Sequence, residues 1–189
     1  MDEETLRRTI ENHLETAEEY IREGRRQQAL REFEKAAFLL EEEKQFDQLE
    51  MLWGHASTGF TAAEAPFQAG SSFMQLAKLE KKAGRHADAR DSYLAAANSF
   101  FAVREKNREV WTTLTQALEH AIELTITLND PAMAIELLFK CATIHYRETG
   151  YTFDAINCLE RAQQLLDKVP SHQLKEEISQ MLQHLLNQQ

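Results

Sequence analysis

Four times in this chain a Gly or Asn is followed by Ala five residues on, a large apolar residue nine on and a small one twelve on. The sets are Gly24/Ala29/Phe33/Ala36, Gly84/Ala89/Tyr93/Ala96, Asn129/Ala134/Leu138/Cys141 and Gly150/Ala155/Leu159/Ala162. A residue tolerant of positive φ closes one helix, and small residues on the next let the partner helix come close, which is the recipe for a tight helical hairpin. A hairpin of this kind cannot bury its apolar face alone and must stack on neighbours. The turns this pattern implies, near residues 24, 44, 65, 84, 105, 129, 150 and 170, are spaced by about twenty residues, giving a two-helix unit near forty, longer than a tetratricopeptide repeat. The expected architecture is all-α: a right-handed solenoid of antiparallel helix pairs, about nine helices, read as one domain over residues 1–189.

The apolar periodicity supplies the helices. Leu6, Ile10, Leu14, Ala17 and Ile21 make one stripe over 3–23, and Ala29, Phe33, Ala36, Ala37 and Leu40 make a second over 26–43. Pro66 falls in the first turn of a fourth helix, and helices are expected over 86–103 and 108–128. Asp130 and Pro131 open the most apolar helix, to about Glu148, Thr152 is the expected N-cap of the next, and Pro170 with Ser171 begins the last.

Only six Gly and three Pro in 189 residues, with 43% hydrophobic content, argue against disorder and against a turn-rich sheet. The net charge of -10 argues against nucleic acid as a partner. The first fifty residues hold fifteen acidic and eight basic side chains, so the acidity is concentrated there. The opening MDEETL is unlike a signal peptide or mitochondrial presequence, and no apolar run approaches a membrane span, so direct membrane insertion is not expected. Cys141 and Cys158 are too few for a disulfide framework and read as free, buried thiols.

Catalytic and metal signatures are missing: no Gly-rich phosphate loop, no Gly-x-Ser-x-Gly, no His-Glu-x-x-His. The seven histidines are scattered, with His145 the one expected to be buried. Glu119, His120 and Glu123 share a helix edge without a second cluster to complete a metal site. The expectation is a non-catalytic chain with no metal and no cofactor.

What remains is aromatic. Phe46, Trp53, Phe60 and Phe67 lie seven residues apart, and Met51 to Ala63 holds no Asp, Glu, Lys or Arg. An uncharged helix is either internal to a stack or pressed on a partner. Gly54 and Gly59 suggest that another backbone comes close there. Phe100 and Phe101, being adjacent, cannot both face one core. With Trp111, these rings are the candidate partner-binding residues.

The Ala-x-x-x-(Phe/Tyr)-x-x-Ala after each turn and the long period resemble the soluble NSF-attachment protein branch of the tetratricopeptide superfamily. Three segments resemble the huntingtin-associated family encoded within an intron of the factor VIII gene. These are APFQAGSSFMQLAKLEKKAGRHADA (65–89), with its Pro-aromatic-x-Ala opening and Gln-Leu-Ala, AAANSFFAVREKN (95–107), and residues 114–166 with the helix break at Asn129 to Pro131. The resemblance implies a non-catalytic cytoplasmic scaffold that is bound by huntingtin, a HEAT-repeat protein, and linked through a Rab GTPase to early endosomes. The alternative is an adaptor of the vesicle-fusion machinery, for which Leu185 and Leu186 near the end of the last helix are a weaker marker.

Overall fold

The computed structural model describes residues 2–169, 171 and 173–188. Among them the secondary structure is helical: α1 (Glu3–Arg22), α2 (Arg26–Glu42), α3 (Phe46–Ala62), α4 (Pro66–Lys82), α5 (His86–Phe101), α6 (Arg108–Thr127), α7 (Pro131–Ile144), a π-helical turn (His145–Thr149), α8 (Thr152–Leu166) and α9 (Lys175–Leu186). Each helix packs on the one before it within two compact units, Met1–Arg104 and Glu105–Gln189. The division falls in the mixed-charge run that starts at Arg104.

The turns repeat one construction. Gly24, Lys44, Glu64 and Gly84 stand twenty residues apart, all with positive φ, and Asn129 and Gly150 adopt the same conformation in the second unit. At each of the first four, the next residue's N–H donates to a carbonyl five residues back: Arg25 to Tyr20, Gln45 to Leu40, Ala65 to Phe60 and Arg85 to Glu80, at 2.8–2.9 Å. This is the Schellman closure, which satisfies carbonyls the helix end would orphan. Lys44 and Glu64 therefore do what Gly does elsewhere, and the repeat continues through them. Five and twelve residues after Lys44 come the fully buried Leu49 and Ala56, and nine after it comes Trp53, 6% exposed.

A side chain caps α1, α6 and α7, in the last case beside the same closure, since the Asp130 N–H also donates to Thr125 O five residues back at 3.1 Å. Asp2, Asn107 and Asp130 accept from the N–H of Thr5, Val110 and Met133 at 2.8, 2.9 and 3.1 Å. Asp130 and Pro131 thus open α7 as expected. Thr152 does not cap α8: Tyr151 occupies the cap without a side-chain bond, and Thr152 is the first helical residue. The last helix starts at Lys175, later than expected, and Pro170 lies outside the described residues. No helix of the described residues is long and apolar enough to cross a membrane.

Candidate functional site

Three of the seven candidate rings belong to the core of the first unit. Trp53, Phe60 and Phe100 are 6%, 0% and 1% exposed. The neutral helix α3 is internal to its unit, and its rings take the repeat's own interior positions, packed inward rather than held out to a partner as expected. Phe60 stands edge-on to Phe33, with centroids 5.7 Å apart. Gly59 is close to a side chain, Ile21, whereas nothing approaches Gly54 within 4 Å of where a Cβ would sit. The glycine that does admit a neighbour is Gly70 on α4, against whose backbone the Phe100 ring lies.

The remaining rings reach the surface to different degrees. Phe67 is half-buried, edge-on to Phe100, and Phe101, the outward member of its pair, is 50% exposed. Phe46 is exposed beneath the Lys82 ammonium, 4.7 Å from the ring centroid. It lines a groove of about 570 Å³ with Met51, Leu79 and the ion-paired Glu50 and Arg85. In the second unit, Trp111 is half-buried with Lys106 Nζ 5.6 Å from its ring. Larger exposures were not flagged by spacing: Met51 and Phe153, both 75%, and Phe38, 60%.

The second unit also brings together four side chains that sequence reasoning kept apart. Glu119 on α6, Cys141 on α7, His145 at the start of the π turn and Cys158 on α8 each place one ligand atom within 4.8 Å of the others'. Cys141, Cys158 and His145 are buried, and both thiols are free. Glu119 Oε1 lies 4.0 Å from Cys141 Sγ and 3.8 Å from Cys158 Sγ, while its Oε2 accepts from Arg161 Nη1 at 3.0 Å. The hydrogen bond to Cys158, then burial, then the charges of Cys158 and Glu119 push the Cys141 thiol far above its usual range. Burial lowers His145 below the ordinary imidazole value, against the pull of Asp154 and Glu119. The cluster thus sets two buried cysteines and a buried histidine against the Glu119 side chain. Glu119, His120 and Glu123 line one cleft, with His120 Nδ1 3.6 Å from Glu123, while Glu119 turns its oxygens to Arg161 and the two thiols. The spacing of Cys141 and His145, four apart on one helix face, was the signal available in the sequence.

The π turn accommodates a spacing of twenty-one, rather than twenty, between Asn129 and Gly150. Tyr151 N–H here reaches back six residues, to His145 O at 2.9 Å, so the extra residue is absorbed and the closure kept.

Among solved structures the chain is similar to a kinesin light chain with nearly identical TPR-like repeats from Podosopora anserina. The identity is 12%, with 95% of each chain covered and a TM-score of 0.50. A variant of that protein is similar at 13% identity over 98% of this chain and 97% of its own, also with a TM-score of 0.50. These likenesses bear on the fold alone, and they agree with an all-α tetratricopeptide-like repeat. No curated protein sequence matches significantly. The family described as soluble NSF attachment protein, SNAP, matches residues 46–186, from the first residue of α3 to the last of α9. Three-quarters of the sequence is thereby accounted for, and the chain belongs to the SNAP family.

Proposed function

We propose that this chain is a non-catalytic interaction scaffold that binds and stabilises the HEAT-repeat protein huntingtin and connects it, through a Rab GTPase, to early endosomes in the cytoplasm. One observation carries the reading: units whose cores are already filled still hold Phe38, Phe46, Met51, Phe101 and Phe153 out to solvent. Apolar side chains kept at the surface in this way suit a protein partner better than a small-molecule substrate. The three segments that resemble the huntingtin-associated family direct the choice of partner. Co-expression with full-length huntingtin, followed by size-exclusion chromatography with mass measurement, tests it. A one-to-one complex that survives high salt is expected, since screening spares buried apolar contacts. Separate elution of the two folded proteins rejects the partner.

The SNAP-family match over 46–186 favours a second reading, an adaptor of the vesicle-fusion machinery. Stimulation of the NSF ATPase by the purified chain would select it over the first.

A further inference from the structure

We infer that Glu119, Cys141, His145 and Cys158 form a four-coordinate site for a divalent metal ion of the zinc class, joining α6, α7 and α8 of the second unit. Two thiolates, an imidazole and a carboxylate are a donor set suited to tetrahedral zinc. Zinc bonds of about 2.0–2.3 Å place tetrahedral ligand atoms about 3.3–3.8 Å apart. The four ligand atoms already lie within 4.8 Å of one another, so closure needs inward movement of about 1 Å, which side-chain rotation supplies.

A second observation points to a ligand. His145 is 8% exposed, and its Nδ1 is buried without a hydrogen-bond partner. A polar atom in that state is costly unless something it binds completes it. The backbone is meanwhile held firmly, His145 O accepting from Tyr151 N and from Thr149 Oγ1, both at 2.9 Å.

The repeat supplies a third. Twelve residues after the turn, where Cys141 stands, other repeats bury Ala36, Ala56, Ala96 and Ala162; sixteen after it, where His145 stands, they bury Leu40, Phe60, Phe100 and Leu166. Packing at these two positions is met in those four repeats by plain apolar side chains, and the repeat after Glu64 departs at the second alone, with Glu80. Of these repeats, the one after Asn129 carries ligand-type side chains at both positions, and they converge on one centre.

Arg161 holds one oxygen of Glu119 and leaves the other facing the thiols, the orienting role that an outer partner plays for a ligating carboxylate. A cleft of about 310 Å³ lined by Gln116, Glu119, His145, Asp154 and Cys158 gives the ion its way in. On binding, each thiol gives its proton to solvent and the sulfur its electron pair to the metal. With four protein donors no coordination position stays open, so the site is structural and agrees with a scaffold. Oxidation to a disulfide would need an oxidant and would leave the convergence of Glu119 and His145 without a purpose.

The test uses the full chain, purified reduced and without chelator. Metal analysis is expected to return one zinc per chain, and cobalt(II) titration to give the thiolate charge-transfer and strong visible bands of a tetrahedral site. Cys141→Ala restores the residue that other repeats carry and is expected to stay helical while binding cobalt or zinc at least about 100-fold more weakly. In the wild-type chain, zinc is expected to slow alkylation of both thiols, a readout independent of any variant. Failure of the reduced wild-type chain to bind either metal, unchanged affinity in Cys141→Ala, or a Cys141–Cys158 disulfide in place of bound metal would each overturn the site.

Discussion

Gly70 and Gly54 look alike in the sequence, each a glycine inside a helix, and the structure separates them. A Cβ on Gly70 would lie 2.8–2.9 Å from three atoms of the Phe100 ring, which is 1% exposed and has nowhere to retreat. Gly70→Ala is expected to lower stability by about 1–3 kcal/mol through overpacking, outweighing the helix-propensity gain of about 1 kcal/mol. Gly54→Ala meets nothing and should gain about 1 kcal/mol; urea unfolding of the two variants checks both signs. Glu80 is a different residue-scale exception, a carboxyl at a position where other repeats bury Leu or Phe, with Oε2 unpartnered. Burial raises its pKa, against the hydrogen bond from Ser92 and the charge of Arg85. With the folded pKa above the unfolded one, the folded chain holds the proton more tightly. Its contribution to stability is therefore full below the ordinary glutamate value and is lost as pH rises through the folded one. Glu80→Gln should raise the melting temperature at neutral pH, and the advantage should vanish in acid, as calorimetry across that range would register. None of this is readable from a single sequence, because it depends on which neighbour lies across the helix interface.

At the scale of elements, the spacing of turns was legible even where their residues were not. A turn was expected near 44 from periodicity alone, although Lys44 carries no Gly or Asn signal; Glu64 likewise takes the left-handed conformation unannounced. Such a conformation costs a residue with a Cβ about 1–2 kcal/mol, and glycine's extra freedom in the unfolded chain returns about 0.5–1 kcal/mol of that. Lys44→Gly and Glu64→Gly should each therefore stabilise by about 0.5–1 kcal/mol, whereas Gly84→Ala at φ +78° should destabilise. Denaturant midpoints at constant slope would check all three. The π turn was hidden for the opposite reason: one extra residue between Asn129 and Gly150 shows in the spacing, but not whether a loop or a helix absorbs it. Cys141 and His145 could be placed on one face from their spacing. Their meeting with Cys158 and Glu119 depends on the register between three helices, which periodicity within each helix does not specify.

At the scale of the whole molecule, the fold class followed from a repeat visible in the sequence, whereas the division into two units rests on which contacts form. The aromatic residues show the same limit. An uncharged helix satisfies the pattern of an internal repeat and of a docking face equally well, and Trp53 and Phe60 proved internal because they continue the series begun by Phe33 and Leu40. This sorting makes the interaction reading testable on one set of proteins. Phe60→Ala removes a fully buried ring and should cost about 3–5 kcal/mol, with a large fall in melting temperature. Phe46→Ala, Met51→Ala and Phe153→Ala remove side chains that are 44%, 75% and 75% exposed, and each should leave the melting temperature within a few degrees of the parent. If the surface rings and Met51 serve a partner, those three variants should weaken the huntingtin complex while remaining as helical as the parent. Binding that follows melting temperature across the set, lost in Phe60→Ala and intact in the surface variants, would place the partner's contacts elsewhere. Measuring affinity and melting temperature on the same preparations separates these outcomes, because a docking residue moves the first without the second and a core residue moves both.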